Sequence, residues 1–173
     1  RVLVSSAAPG AVQLFEPSGG TYRFLGSANP FAGADVVGLA VGSDGLQGYA
    51  IGRDGGCRSL VLATTGTPIS LGTGSIPGDG VLETVAQTSL IQSGRLVVAM
   101  LMRASGGGGS VVRIVSDGGG GPTSTDVDLA AADGVAIGSS GGSFRVLHET
   151  GAISLVSADG TGAVDRLEGP ADF

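Results

Sequence analysis

At 173 residues the chain has the length of one domain, or of a piece of a larger one, and 34 of its residues are glycine. Hydrophobic residues make up 42% and charged ones only 14%, which excludes a disordered tail; no apolar run approaches the ~18 residues of a transmembrane helix, and the glycines keep no collagen period. The nine basic residues are scattered arginines against 15 acids, a net charge of −6, so the basic stripe that nucleic acid or an anionic membrane surface demands is missing.

Short runs of Val, Leu, Ile, Phe and Tyr, bounded by Gly, Asp-Gly and Ser-Gly, predict strands and tight turns throughout. In chain order they begin with Val2 to Val4, Val12 to Phe15 and Tyr22 to Leu25. Val36 to Val41, Tyr49 to Ile51, Leu60 to Ala63 and Pro68 to Leu71 follow. Next come Ser89 to Ile91, Leu96 to Val98, Val111 to Val115 and Thr125 to Leu129. The last four are Val135 to Ser139, Phe144 to Val146, Ile153 to Val156 and Val164 to Leu167. Helical spacing appears only weakly, near Val81 to Leu90. Thr73 to Val85, which carries Ile76-Pro77-Gly78-Asp79-Gly80, is expected to be a connection between units. Gly106 to Gly109 and Gly118 to Gly121 are expected to be exposed, mobile hairpin loops.

The runs repeat. Val2, Tyr49, Leu96 and Phe144 open equivalent strands spaced 47, 47 and 48 residues apart. The units are approximately 1–33, 34–80, 81–131 and 132–173, with three strands in the first and four in each of the others. Four short strands per ~47 residues fall within the interval of propeller blades. On this period and strand count the chain resembles the β-propeller repeats of the WD, YVTN and kelch type. The resemblance implies an all-β, propeller-like array of about four four-stranded antiparallel blades in a single β-repeat domain, read here as an arc of a larger propeller. The Trp-Asp dipeptide is absent, since the chain has no Trp, and the kelch Gly-Gly with spaced Tyr and Trp is not reproduced. No functional residue is carried over. A β-sandwich is the alternative architecture, although its strands need not keep a fixed interval.

The chain carries few reactive groups in patterns that chemistry requires. Gly138-Ser139-Ser140-Gly141-Gly142 has the spacing of a hydrolase nucleophile elbow, but a strand rather than a helix follows it, so a hairpin turn is expected. His148, the one histidine, shares a strand face with Phe144 and Val146 and reads as a strand-end or blade-interface residue beside Glu149. The four glutamates, Glu16, Glu83, Glu149 and Glu168, could supply a glycosidase pair only if the fold brought two of them together. Asp126, Asp128 and Asp133 could offer oxygen to calcium but lack an EF-hand pattern. Gly72 and Gly74 precede Pro77 rather than the helix of a dinucleotide site, and a chain without Lys has no Walker A loop. Phe15, Tyr22 and Phe24 are clustered on one hairpin and are assigned to core packing. Cys57, alone, forms no intrachain disulfide and reads as a small buried hydrophobe.

The expectation is therefore of no catalytic, cofactor-binding or metal-binding residue. The chain reads as a non-catalytic structural or protein-interaction module, a component of a larger extracellular or virion assembly. Its partners would be flanking blades or assembly subunits, with no nucleic acid and no membrane insertion. The alternatives are a fragment of a propeller enzyme acting on glycans, and a ligand- or glycan-binding sensor domain.

Overall fold

The computed structural model describes residues 1–5, 10–104, 109–118, 120–129 and 134–161, and the backbone of 165–167. Among these the chain is all β. The strands are β1 (Val2–Ser5), β2 (Val12–Ser18), β3 (Thr21–Ala28), β4 (Val36–Val41), β5 (Gln47–Gly52), β6 (Cys57–Leu62), β7 (Ile69–Ile76) and β8 (Leu82–Gln92). They continue with β9 (Arg95–Ala104), β10 (Ser110–Asp117), β11 (Pro122–Leu129), β12 (Gly134–Ser140), β13 (Ser143–His148), β14 (Ile153–Ser157) and β15 (Asp165–Leu167). Every pairing is antiparallel between consecutive strands, so each sheet is a meander. There are four sheets rather than the two of a sandwich: β1–β3, β4–β7, β8–β11 and β12–β15.

The sheets pack face to face in chain order, because alternation along each strand sends successive side chains to opposite faces. Val12 and Leu14 of the first sheet meet Ala50, Leu60, Leu62 and Ile69 of the second. The other face of the second sheet, with Tyr49, Ile51 and Cys57, meets Val98, Met100, Met102 and Val115 of the third. The far face of the third, with Val97, Ala99, Leu101, Val112 and Ile114, meets Phe144, Val146 and Val156 of the fourth. These three seams form the core. Among the described residues no apolar cluster joins the fourth sheet to the first.

The sheets repeat in detail. The opening strands of the last three sheets, β4, β8 and β12, each carry a register shift near their start, at Val36/Gly38, Thr84/Ala86 and Gly134/Ala136. The shift is a β-bulge, which bends and twists the strand locally. It also accounts for the weak helical spacing around Val81 to Leu90. A bulge between Thr84 and Ala86 breaks strict alternation, so apolar residues at 82, 85, 86 and 90 mimic a helical stripe while the segment is an 11-residue strand. The expected connection from Thr73 to Val85 is correspondingly shorter, since β7 ends at Ile76 and β8 begins at Leu82. Gly118 and Gly120 are exposed, whereas Gly106 to Gly108 and Gly119 lie outside the described residues.

One glycine shows how closely the sheets approach. Gly55, in the β5–β6 turn, has φ +76, and a Cβ there would lie 2.0 Å from Cε of Met102 in the third sheet. Only glycine takes that conformation without strain while leaving room for the neighbouring sheet.

Candidate functional site

The residues with potential chemistry are dispersed among structural tasks. Ser139 and Ser140 end β12 at the Gly141-Gly142 turn, which leads into strand β13 and not a helix. Ser139 Oγ donates to Ser89 O at 3.0 Å, which ties the fourth sheet to the third. Register places Ser140 and His148 at opposite ends of the β12–β13 hairpin, since Ser140 pairs with Ser143 and Gly134 with His148. His148 is 2% exposed, and its Nε2 lies 2.7 Å from Ser154 Oγ on β14. It occupies the end of the seam, on the face shared with Phe144 and Val146.

The carboxylates are engaged with arginines. Glu16 forms an ion pair with Arg23 across the β2–β3 hairpin. Glu149 lies 3.4 Å from Arg103, and Glu83 stands directly opposite Arg103 in the β8–β9 register. Arg103 also donates to Gly134 O at 2.8 Å, which fastens the third sheet to the start of the fourth. Arg103 thus holds Glu149, and neither Glu83 nor Glu149 lines the polar cleft described below. Asp126 accepts two hydrogen bonds from Arg113, at 2.8 Å each, and Asp128 is exposed one alternation further along β11. Asp133 and Glu168 lie outside the described residues. Among the described residues no three His, Cys, Asp or Glu side chains group together as metal ligands. No described helix is long and apolar enough to cross a membrane.

Arg113 is the most deeply engaged charge. Its side chain is 9% exposed and forms a bidentate fork with Asp126; it also faces Asp79 at 3.7 Å and donates to Gly55 O at 3.3 Å. The Asp126 hydrogen bonds hold the guanidinium charged against the cost of its burial. The hydrogen bond to Gly55 O ties the β5–β6 turn of the second sheet to β10 of the third, while the fork joins β10 to β11. Cys57 lies in the same seam, fully buried, where desolvation pushes its thiol up to about 12. Its expected role as a small hydrophobe fits that position.

The aromatic cluster departs from expectation. Phe15 and Phe24 pack edge to face at 5.6 Å, but Phe24 is 53% and Tyr22 64% exposed, so they are not core residues. The cause is the end position of the first sheet. Its inner face is covered by the second sheet through Val12, Leu14 and Leu25, while its outer face has no neighbour among the described residues. The register Val2–Phe15–Phe24 and Pro17–Tyr22 places these side chains, with Val4, on that outer face. The outer face of the fourth sheet is mixed, with the exposed Arg145 one alternation from Leu147. Leu147, 43% exposed, stands between Ala136 and Ile153 on the face turned away from the third sheet. An exposed face of contiguous large apolar side chains marks a contact surface far more often than a scatter of single residues does.

No protein-family model matches the chain, and no curated protein matches it. The all-β architecture of four antiparallel sheets is therefore what defines the class of this protein.

Proposed function

We propose that the four sheets are successive blades of a propeller-like arc, and that the chain is a non-catalytic structural or protein-interaction module of a larger assembly. The observation that carries this reading is the series of seams. Each inner sheet is apolar on both faces, and the first sheet presents an apolar outer face formed by Val2, Val4, Phe15, Tyr22 and Phe24. The occupant that fits the outer face of the first sheet is a further antiparallel β-sheet, because every seam in the chain is sheet on sheet and formed by alternating aliphatic and aromatic side chains. The engagement of Glu149, His148 and Asp126 in ion pairs and hydrogen bonds supports a non-catalytic role.

The test is light scattering on the isolated chain at micromolar concentration. The reading predicts reversible association beyond the 16.7 kDa monomer. The double variant Tyr22→Ser/Phe24→Ser is expected to weaken that association about 10–100-fold, since two exposed aromatic contacts are removed. Circular dichroism should show its fold unchanged. A soluble, stable monomer of 16.7 kDa for the unmodified chain contradicts the reading.

A further inference from the structure

The seam between the second and third sheets is apolar along its length but opens at one end into a polar cleft of about 400 Å³. This volume falls within the range of small-molecule sites, roughly 300–1,000 Å³. The polar groups come from both sheets: Asp44, Gln47, Tyr49 and Ser59 from the second, Arg95 and Asp117 from the third. Gly72, Gly94 and Gly118 also line it, so main-chain amides and carbonyls are accessible where side chains would otherwise cover them.

We propose that this cleft binds a neutral polyhydroxylated ligand, of the size of one or two sugar rings. Three features of the chemistry select that class. The donors and acceptors are mixed: two carboxylates, an amide, four hydroxyl-bearing residues and a guanidinium line one space, as a ligand whose every hydroxyl both donates and accepts requires. The charges nearly cancel. Two carboxylates against one arginine repel an anion such as phosphate, and Arg95 opposes a compact cation. The apolar contribution is shallow: Leu60, Val61 and Leu96 line the cleft, and Val61 and Leu96 can lie against the C–H face of a ring.

The groups are also held in place before any ligand arrives. Asp44 Oδ1 accepts from Leu46 N at 2.9 Å, and Asp117 Oδ1 accepts from Gly121 N at 3.3 Å, so turn amides orient both carboxylates. Ser59 Oγ is directed toward the carbonyls of Thr73 and Gly74 at 3.3 and 3.4 Å. Burial, with Asp117 adding to it, holds the Tyr49 hydroxyl protonated at the floor of the cleft. Preorganisation of this kind reduces the ordering cost of binding. The cleft lies between inner sheets, so its occupancy is independent of what covers the end faces.

The experiment is an amide NMR titration of the chain with methyl glycosides of glucose, galactose and N-acetylglucosamine, alongside putrescine and inorganic phosphate. At least one glycoside is expected to bind with a Kd of about 1–10 mM, and the shifted amides should be confined to Gly42–Tyr49, Ser59–Val61, Gly72–Thr73, Gly94–Leu96 and Asp117–Gly118. Thr73→Trp, at an exposed position on β7, fills the cleft without entering the core and should weaken binding about tenfold or more. Gln47→Ala, also exposed, should weaken it about three- to tenfold by removing one hydrogen-bonding group. Shifts with putrescine or phosphate and none with the glycosides would overturn the assignment to a polyol. Shifts outside the cleft, glycoside binding unaffected by Thr73→Trp, or no response to any probe would overturn the site itself. Because this measurement reads individual amides of the second and third sheets, its failure leaves the association result untouched, and the converse also holds.

Discussion

Phe144→Ala is expected to lower the unfolding free energy by about 3–5 kcal/mol, the range for removing a buried aromatic side chain from a core. Phe144 is the largest of the fully buried side chains and packs in the cluster that joins the third and fourth sheets through Leu101, Val112 and Val146. The loss has two parts: the hydrophobic transfer of the ring, and a cavity that two hydrogen-bonded sheets cannot close by moving. Urea unfolding followed by circular dichroism measures it as a lower midpoint. Phe24→Ser provides the contrast. Phe24 is 53% exposed on an outer face, so removing its ring should cost about 1 kcal/mol or less in the isolated chain. Equal costs at the two positions would refute the assignment of inner and outer faces.

The second large effect is expected at Arg113. Arg113→Met keeps most of the side chain's length and removes its charge. It should destabilise the chain by about 2–3 kcal/mol, below the ~3–5 kcal/mol of a fully buried broken pair, because the Asp126 side chain is 41% exposed and water can reach it. Asp79 would also lose its cation, and Gly55 O a donor. Arg113→Lys retains the charge but not the planar fork, and should cost about 1–2 kcal/mol. The damage should be local. Hydrogen exchange is expected to accelerate first in the β5–β6 turn and along β10, where the clamp joins the second sheet to the third. A loss under about 0.5 kcal/mol for Arg113→Met would show that the clamp contributes nothing beyond an ordinary surface ion pair.

Much of the fold could be read from the sequence because turn chemistry and the repeat agree. Each predicted strand corresponds to an observed one, since Gly and Asp-Gly mark the turns and alternation marks the runs between them. The structure corrects the sequence reading where one local feature disguises another. The bulge in β8 slips the alternation by one residue and gives a strand the appearance of a helix. Phe15, Tyr22 and Phe24 look like core on a count of scarce large side chains, but burial depends on whether a second sheet covers the face, which a local hairpin does not encode. The Arg113–Asp126 fork left a trace in the sequence: an arginine inside Val111-Val112-Arg113-Ile114-Val115 needs a partner, and the β10–β11 register supplies Asp126 directly opposite. The polar cleft left none. Its groups come from positions 44 to 118 and meet only because two sheets stack and their turns fall at the same end.

The central claim is that consecutive quarters of the chain form sheets whose apolar seams, among the described residues, are three and join neighbours in sequence. Nuclear Overhauser contacts between side chains in solution test it most directly. The account predicts contacts from Leu14 to Leu60 and Leu62, from Ile51 to Met100 and Met102, and from Phe144 to Leu101 and Val112. Strong contacts from Leu14 to Val146 or Phe144, which would fold the first sheet directly onto the fourth as two stacked layers, would contradict it.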